Sequence, residues 1–417
     1  MSLMPPPLRR ARPESPPVSR AAPPPPPAAP RGSPLGRVAA LLSPADREVL
    51  WLYLLTRASL WVTAYCTRLV FPSRSDARTP EPPLSPFEQW DWHHYLHIAQ
   101  DGYFPDGAAG GPEGEGDNRE AFFPGFPLAL RAVHTVVPDW TAAGLLISFV
   151  AGGVAVLALA RLARWYVPEP GAGRRAVLIL LLSPCAVFLA AGYTEALFLA
   201  FALPAWLAAL RHQWPQAAVL TALATGVRVS GLFLAAAVAL HFLLAARRGG
   251  TRWRSLPWLA LPAVPALLYA WFLYGHTGDW MAWNHAQERG WYRTFHLPWE
   301  SWAVTWNSAF GERHPTGYGF MFQAELVAMV VGSVLCAVLL RRRRWAEALY
   351  IALTLAALGT SYWYMSVPRS MLLWWPLHIG LAAWSLRRPR VLIVYLCLVA
   401  PLSTVYAVTF LSGRWAG

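Results

Sequence analysis

Apolar runs long enough to cross a lipid bilayer recur from about residue 50 to the end of the chain. About 20 apolar residues suffice for one transmembrane helix. Only 14% of the residues are charged, whereas a soluble domain carries about 25%, so most of the surface is expected not to face water. The sequence therefore predicts an all-α polytopic integral membrane protein with about eleven transmembrane helices, within a range of about nine to twelve.

Positive charge lies in short clusters between these apolar runs. The net charge is +13, and all 35 basic residues are arginine; cytoplasmic membrane loops carry such an excess. The clusters predicted to lie inside, with the N-terminus, are residues 247–254, 341–344 and 387–390. Segments 72–139 and 275–319 then form two large external loops. The first contains nine acids from Glu81 to Glu120 and is expected to carry short interfacial helices.

Two regions differ from a simple series of spans. Residues 1–45 are rich in proline and arginine and are predicted to form a disordered cytoplasmic tail, not a signal peptide. Residues 46–417 form the predicted transmembrane domain. Within it, a single helix over 216–246 would be about 46 Å long, against a bilayer core of about 30 Å. Two helices that meet between residues 226 and 231 are predicted instead, which places Arg228 at the external surface.

No cofactor or metal ion is expected. The four cysteines lie singly in apolar runs without a CxxC pair, which is typical of small buried side chains. His93, His94 and His97 are not accompanied by a clear carboxylate triad. The chain contains no glycine-rich phosphate loop and no dinucleotide fingerprint. Its positive charge follows membrane loops, so nucleic acid is not expected as a partner.

Polar residues that are costly in a membrane gather on the predicted external face, which is the usual sign of a functional site. They are Trp90, Asp91, His94 and Tyr95 in FEQWDWHHYLHIAQDGY, Tyr193 and Glu195 in SPCAVFLAAGYTEALF, Arg228 in ATGVRVSG, Asp279 in the second external loop, and Arg369 in VPR. Each also has a simple structural explanation. Interfacial tryptophans anchor a helix, an acid favours a helix N-terminus, and an arginine snorkels to the surface. Taken singly, no segment specifies a function.

Taken together and in order, these segments resemble a known family. WDWHHYLHIAQDGY, AFFPGFPLALR, SPCAVFLAAGYTEALF, LATGVRVSG and SVPRSMLLWWPL resemble the GPI mannosyltransferase II (PIG-V) family of the GT-C membrane glycosyltransferase superfamily. The resemblance runs from about Trp51 to Leu381 and does not include the proline-rich tail. The arginine-only composition suggests a GC-rich bacterial genome, so the eukaryotic acceptor of the family is not carried over.

The resemblance implies a GT-C-like fold and a polyprenyl-phosphate sugar donor, with mannose as the expected sugar. It also implies that an acid in the first external loop acts as general base, and Asp91 is the matching residue. Chemistry suggests the other roles. A leaving phosphate needs positive charge, which Arg228 and Arg369 are predicted to supply with help from His94. Glu195 is the candidate second acid. Further candidates for substrate contact are Trp90, Tyr95, Tyr193 and Asp279.

One base and no second carboxylate in a nucleophilic role predict a single displacement with inversion at the anomeric carbon. The expected acceptor is an external-side lipid, glycan or glycoconjugate. Two alternatives stay open. The first is a transporter or flippase of a lipid-linked sugar, a class in which inverted repeats are typical. The second is a non-catalytic membrane subunit of envelope assembly, in which each candidate site residue could be replaced without loss of function.

Overall fold

Long α-helices account for most of the structure. The computed structural model describes residues 42–71, 82–105 and 118–417, and all regular structure in these ranges is helical. Most of the predicted tail lies outside the described residues, as do segments 72–81 and 106–117 of the first predicted external loop. The predicted all-α class is confirmed.

The α-helices of the described ranges are, in chain order, α1 Pro44–Val70, α2 Asp91–Asp101, α3 Gly125–His134, α4 Trp140–Tyr166, α5 Ala172–Leu181, α6 Thr194–Leu210, α7 Trp214–Val227, α8 Ser230–Arg247, α9 Val264–Thr277, α10 Ala282–Trp291, α11 Pro298–Phe310, α12 Thr316–Arg341, α13 Trp345–Gly359, α14 Val367–Ser370, α15 Trp375–Arg387 and α16 Pro389–Leu411. The 3₁₀-helices are Ser85–Phe87, Arg119–Ala121, Ala186–Leu189, Trp253–Ala263 and Met371–Leu373. The short helices α2, α3, α10 and α11 lie in the two predicted external loops.

Six helical segments of the described residues are long and apolar enough to cross a membrane. They are α1, α4, α8, α12, α16 and the continuous stretch Trp253–Thr277, in which a 3₁₀-helix leads into α9. Helices α6 and α13 are apolar but shorter. A polytopic membrane protein is therefore confirmed, whereas the count of eleven spans stays a prediction.

One predicted break is present, and one unpredicted break occurs. Helix α7 ends at Val227 and α8 begins at Ser230, as predicted, with extended backbone at Arg228. The turn is tight, because a Cβ on Gly231 would lie 2.3 Å from the backbone of Thr225. The apolar run over residues 177–191 would suffice for one of the predicted spans, but it is not a continuous helix. Helix α5 ends at Leu181, because the proline that follows Ser183 excludes regular helix.

Ion pairs join several helix ends at one side of the bundle, which we call the arginine end. Asp46 at the start of α1 binds Arg161 and Arg164 near the end of α4, at 3.2 and 2.7 Å. Tyr166 then donates a hydrogen bond of 2.7 Å to Glu347 at the start of α13. Two of these helix ends, the starts of α1 and α13, adjoin the tail and the cluster 341–344, which the sequence predicts to be cytoplasmic.

Helix α6 connects the arginine end with the opposite end of the bundle. Trp206, close to its last turn, donates a hydrogen bond of 2.9 Å to Tyr166. Glu195, in its first turn, is 11 residues earlier in the chain, which corresponds to about 16 Å along a helix. The acid predicted to belong to the site therefore lies far from the arginine end.

Candidate active site

Trp92 fixes the start of α2 against the bundle. Its side chain is 1% exposed and fills a gap between Gly144 of α4 and Gly192, where a Cβ on either glycine would lie 2.5 Å from the indole ring. The Tyr193 hydroxyl donates a hydrogen bond of 2.5 Å to the carbonyl of Gln89. Both contacts hold the first residue of α2, Asp91, beside the beginning of α6.

Four predicted site residues form one ion-paired cluster. Arg369 donates through Nη1 to Asp91 Oδ2 at 2.6 Å and through Nε to Glu195 Oε1 at 2.5 Å. Arg228 Nη1 donates to the same Glu195 oxygen at 2.5 Å and to the hydroxyl of Thr194 at 2.5 Å. The members of this site cluster, Asp91, Glu195, Arg228 and Arg369, come from four separate segments of the chain.

The cluster is enclosed on one side and open on the other. Glu195 is fully buried and Arg369 is 8% exposed, whereas the side chains of Asp91 and Arg228 are 18% and 21% exposed. The cluster is therefore accessible from the side of Asp91 and Arg228. Within the described part of the chain, Glu195 Oε2 has no hydrogen-bond partner.

The electrostatic balance keeps Asp91 ionised. Burial alone would raise the pKa of its carboxyl group, but the Arg369 guanidinium, with His94 and Arg228, more than offsets this and lowers the pKa below its usual value. Burial likewise disfavours charged Arg369, yet Glu195 and Asp91 raise its pKa above the ordinary value. Asp91 and Arg369 thus stabilise each other in their charged forms.

Aromatic side chains surround the cluster. The Arg369 guanidinium lies over the rings of Phe188 and Tyr193, at 4.6 and 4.8 Å from their centroids. The Tyr95 hydroxyl lies 3.5 Å from that of Thr194. His94 stacks on Phe122 with ring centroids 4.7 Å apart. The structure therefore brings the predicted residues His94, Tyr95 and Tyr193 to the same place.

Two further predicted residues lie apart from the ion pairs. Trp90 is 45% exposed, and its indole N–H donates to the carbonyl of Arg414 at 3.2 Å. Asp279 accepts a hydrogen bond from the backbone of Met281 at 2.7 Å and pairs with His285 at 2.7 Å. The polar contacts of Asp279 shape the turn before α10 and do not reach the site cluster. Its role in substrate contact stays a prediction.

Glu325 escaped the sequence analysis. It is fully buried in α12, and its two carboxylate oxygens accept the backbone N–H groups of Ser366 and Val367 at 2.7 and 2.8 Å. Helix α14, which carries Arg369, begins at this point. A carboxylate inside a long apolar run is costly and is a usual sign of function. The position of Glu325 in such a run could therefore have identified it from the sequence.

An apolar cavity of 850 Å³ is lined in part by the helices that carry or directly precede residues of the cluster. It lies between the interfacial helices α2 and α3 and the longer helices α6, α7 and α9. Its lining includes Leu197, Leu223, Gly226, Val227, Tyr269 and Phe272. Gly226 and Val227 immediately precede Arg228 in the chain, and the charged residue of the lining is Arg131 of α3. In the described ranges, no group of three or more His, Cys, Asp or Glu side chains is arranged to hold a metal ion.

Part of the chain is similar to a known protein family. Residues 56–246 match the family model described as Mannosyltransferase (PIG-V). The matched range contains Asp91, Glu195 and Arg228, whereas Arg369 follows it. The resemblance to PIG-V mannosyltransferases that the motifs suggested is therefore confirmed over these residues.

Curated relatives agree over a similar stretch. The chain is 33% identical to GPI alpha-1,6-mannosyltransferase 2 of Mus musculus over 191 residues, which are 43% of this chain and 36% of the relative. It is 31% identical to the Rattus norvegicus protein over 229 residues, 49% and 43% of the two chains, and 34% identical to the Homo sapiens protein over 161 residues, 36% and 30%. The chain thus spans less than half the length of these relatives.

Among solved structures, the chain is similar to ArnT from Cupriavidus metallidurans bound to undecaprenyl phosphate. The TM-score is 0.45 at 13% sequence identity, and the superposition covers 87% of this chain and 69% of ArnT.

Proposed function

We propose that this protein is a membrane mannosyltransferase. It transfers mannose from polyprenyl-phosphate mannose to a hydroxyl group of an extracytoplasmic lipid, glycan or glycoconjugate. The observation that carries the proposal is the position of Asp91, an ionised carboxylate at the open edge of an arginine-rich cluster, on a helix that also lines an apolar cavity. The curated relatives of the matched region are named for mannose transfer, which supports the choice of sugar.

The proposed reaction is one displacement with inversion. The acceptor oxygen attacks the anomeric carbon, the bond from that carbon to the phosphate oxygen breaks, and the acceptor proton passes to Asp91. A carboxylate with a lowered pKa is a weak base, so it takes the proton only as the acceptor oxygen bonds to carbon and becomes acidic. The leaving polyprenyl phosphate needs no proton, but it needs nearby cations. Arg228, at the open edge, is placed to provide one.

The apolar cavity fits the lipid part of such a donor. A polyprenyl chain is a hydrocarbon, and each buried CH₂ group contributes about 0.8 kcal/mol. Gly226 and Val227 of the cavity lining directly precede Arg228, so we infer that a lipid chain in the cavity has its phosphate on the side of the site cluster. A nucleotide sugar has no hydrocarbon chain and would not fill this apolar cavity.

The site belongs to the extracytoplasmic side in this proposal. The site cluster and the arginine end lie at opposite ends of α6, and arginine-rich helix ends are retained in the cytoplasm. The N-terminus is then cytoplasmic, and the protein is a multi-pass protein of the cell membrane. The bacterial origin suggested by composition supports a cell-envelope acceptor.

The proposal is tested with purified protein in lipid nanodiscs. Labelled polyprenyl-phosphate mannose and an envelope lipid extract should give a labelled product, and the reaction should survive EDTA. Turnover with GDP-mannose in the absence of a lipid carrier would overturn the donor assignment. Donor movement across proteoliposomes without transfer would favour the flippase, and inactivity of the protein in both assays would favour an assembly subunit.

A further inference from the structure

We propose that Arg293, on the loop between α10 and α11, is a direct ligand of the donor's phosphate group. This inference rests on the proposed function and adds a residue that the sequence did not indicate. It is carried by the position of the loop, by the charges around Arg293 and by the lack of a partner for its guanidinium.

The loop is attached to the segments that carry the site. Trp291 packs against Phe122 and His94, with ring centroids 5.3 and 5.8 Å apart, and His94 follows Asp91 by three residues. Tyr292 packs on Trp363 at 5.4 Å. Tyr292 thus contacts the segment that leads to Arg369, and Trp291 contacts the helix that begins at Asp91.

Backbone hydrogen bonds fix the loop on the same segment. Tyr292 has a positive φ of 52°, and its carbonyl accepts the N–H of Tyr362 at 3.3 Å. His296 donates its N–H to the carbonyl of Thr360 at 2.8 Å. Arg293 lies between these two attachments, so its position relative to the site is set by the fold.

The charged groups that act on Arg293 belong mostly to the site. Three of them, Arg228, Asp91 and Arg369, are members of the site cluster, and the fourth is Glu325, which binds the start of α14. Burial first, and then the neighbouring Arg228, lower the pKa of Arg293 to about 10, so its guanidinium remains charged at neutral pH. Its side chain is only partly buried, which leaves part of it accessible.

Arg293 differs from the other site arginines because it has no anion. Arg369 pairs with two carboxylates and Arg228 with one. Across the described residues, no ion pair or side-chain hydrogen bond engages Arg293, and both oxygens of Glu325 are taken by backbone N–H groups. An unpaired cation in a partly desolvated place is costly. A phosphate group relieves that cost.

The reaction increases the charge that Arg293 would face. The donor phosphodiester carries one negative charge. When the bond to the anomeric carbon breaks, the leaving phosphate monoester gains a second negative charge, which it keeps to the extent that it is not protonated. A cation that is not already neutralised therefore stabilises the leaving group more than the donor, which is the condition for accelerating the reaction. The product, polyprenyl monophosphate, is the most sensitive probe.

The test measures binding, independently of transfer. The full-length protein in nanodiscs is titrated with polyprenyl monophosphate, with the uncharged polyprenol and with inorganic phosphate, and binding is followed by the shift in thermal unfolding. Arg293→Ala should weaken binding of polyprenyl monophosphate by about 10- to 100-fold, as expected for loss of a hydrogen-bonded charge, and leave polyprenol unaffected. Arg293→Lys should recover part of the affinity. The matched control is Arg313→Ala, an exposed arginine of the same external loop.

The outcomes separate this inference from the proposed function. If the native protein binds polyprenyl monophosphate no better than polyprenol, the proposed donor is wrong. If the native protein binds it tightly and Arg293→Ala binds equally well, the role of Arg293 is refuted while the proposed function stands. An equal loss in Arg313→Ala would also refute it, because the effect would then come from the general charge of the loop. Unfolding of each variant without ligand controls for folding.

Discussion

Arg369 connects the two acids of the site, and this changes its predicted role. The sequence suggested a phosphate ligand, but two of its donors are already used by Asp91 and Glu195. Its planar guanidinium presents several N–H groups at fixed angles, which lysine lacks. We infer from these ion pairs that Arg369 positions Asp91, the proposed base, and its contact with the donor phosphate stays a prediction.

Arg369→Ala is expected to reduce both stability and transfer. It leaves the fully buried Glu195 with only Arg228, and loss of one partner of a buried pair costs about 3–5 kcal/mol. The thermal midpoint in detergent should fall clearly, and Arg369→Lys should fall less. Arg390→Ala, at an exposed arginine of α16, provides the control. An Arg369→Ala variant as stable as the native protein would show that the ion pairs do not hold the site together.

At the scale of elements, α14 depends on a residue from another helix. It has only four residues, its N-cap Ser366 has a positive φ of 67°, and no N-cap side chain satisfies its first N–H groups. Glu325 of α12 accepts two of them. The orientation of Arg369 is therefore set by α12.

Glu325→Gln keeps the size of the side chain and one good acceptor oxygen but loses the second acceptor. It is expected to lower transfer by about tenfold, since one charge-assisted hydrogen bond is lost, while Glu325→Leu should abolish transfer. Partial rescue by Gln at matched protein levels distinguishes positioning from a catalytic charge. Glu312→Gln, at an exposed acid after α11, should be neutral. Full activity of Glu325→Leu would contradict the role assigned to Glu325.

Local sequence rules account for only part of the helix pattern. Length predicted the break between Val227 and Ser230, because one helix would have exceeded the bilayer. The interruption after Leu181 was missed, although a proline lies in the segment, because the apolar run continues through it. Apolar character alone does not distinguish a transmembrane helix from buried irregular chain, and α6, α13 and α15 are likewise shorter than a simple span.

At the scale of the whole molecule, the site was predicted as a set of residues but not as an arrangement. Asp91, Glu195, Arg228 and Arg369 were each singled out because they are polar residues beside apolar runs. Their pairing depends on contacts over as many as 278 residues of sequence, which no local pattern encodes. Arg293 lies in a polar loop where another arginine is unremarkable, so the sequence offered no signal for it.

The orientation of the bundle is open to a labelling test. In a background without the four native cysteines, two of which are exposed, a cysteine at Gly110 should react with a membrane-impermeant reagent added outside. Cysteines at Gly249 and Arg342 should react only after permeabilisation, because arginine-rich segments stay inside. External labelling at Gly249 would place the arginine end outside and contradict the proposed side of the site.

The central claim is that Asp91 accepts the acceptor's proton, and the most direct measurement compares mannose transfer by Asp91→Asn with that of the native protein. Asn retains an oxygen for Arg369 but does not accept a proton at neutral pH, so insertion and donor binding should persist while transfer falls by about 10²- to 10⁴-fold. Asp101→Asn, at an exposed acid at the other end of α2, should transfer normally. Near-native transfer by Asp91→Asn at matched protein levels would contradict the account and make Glu195 the next candidate for the base.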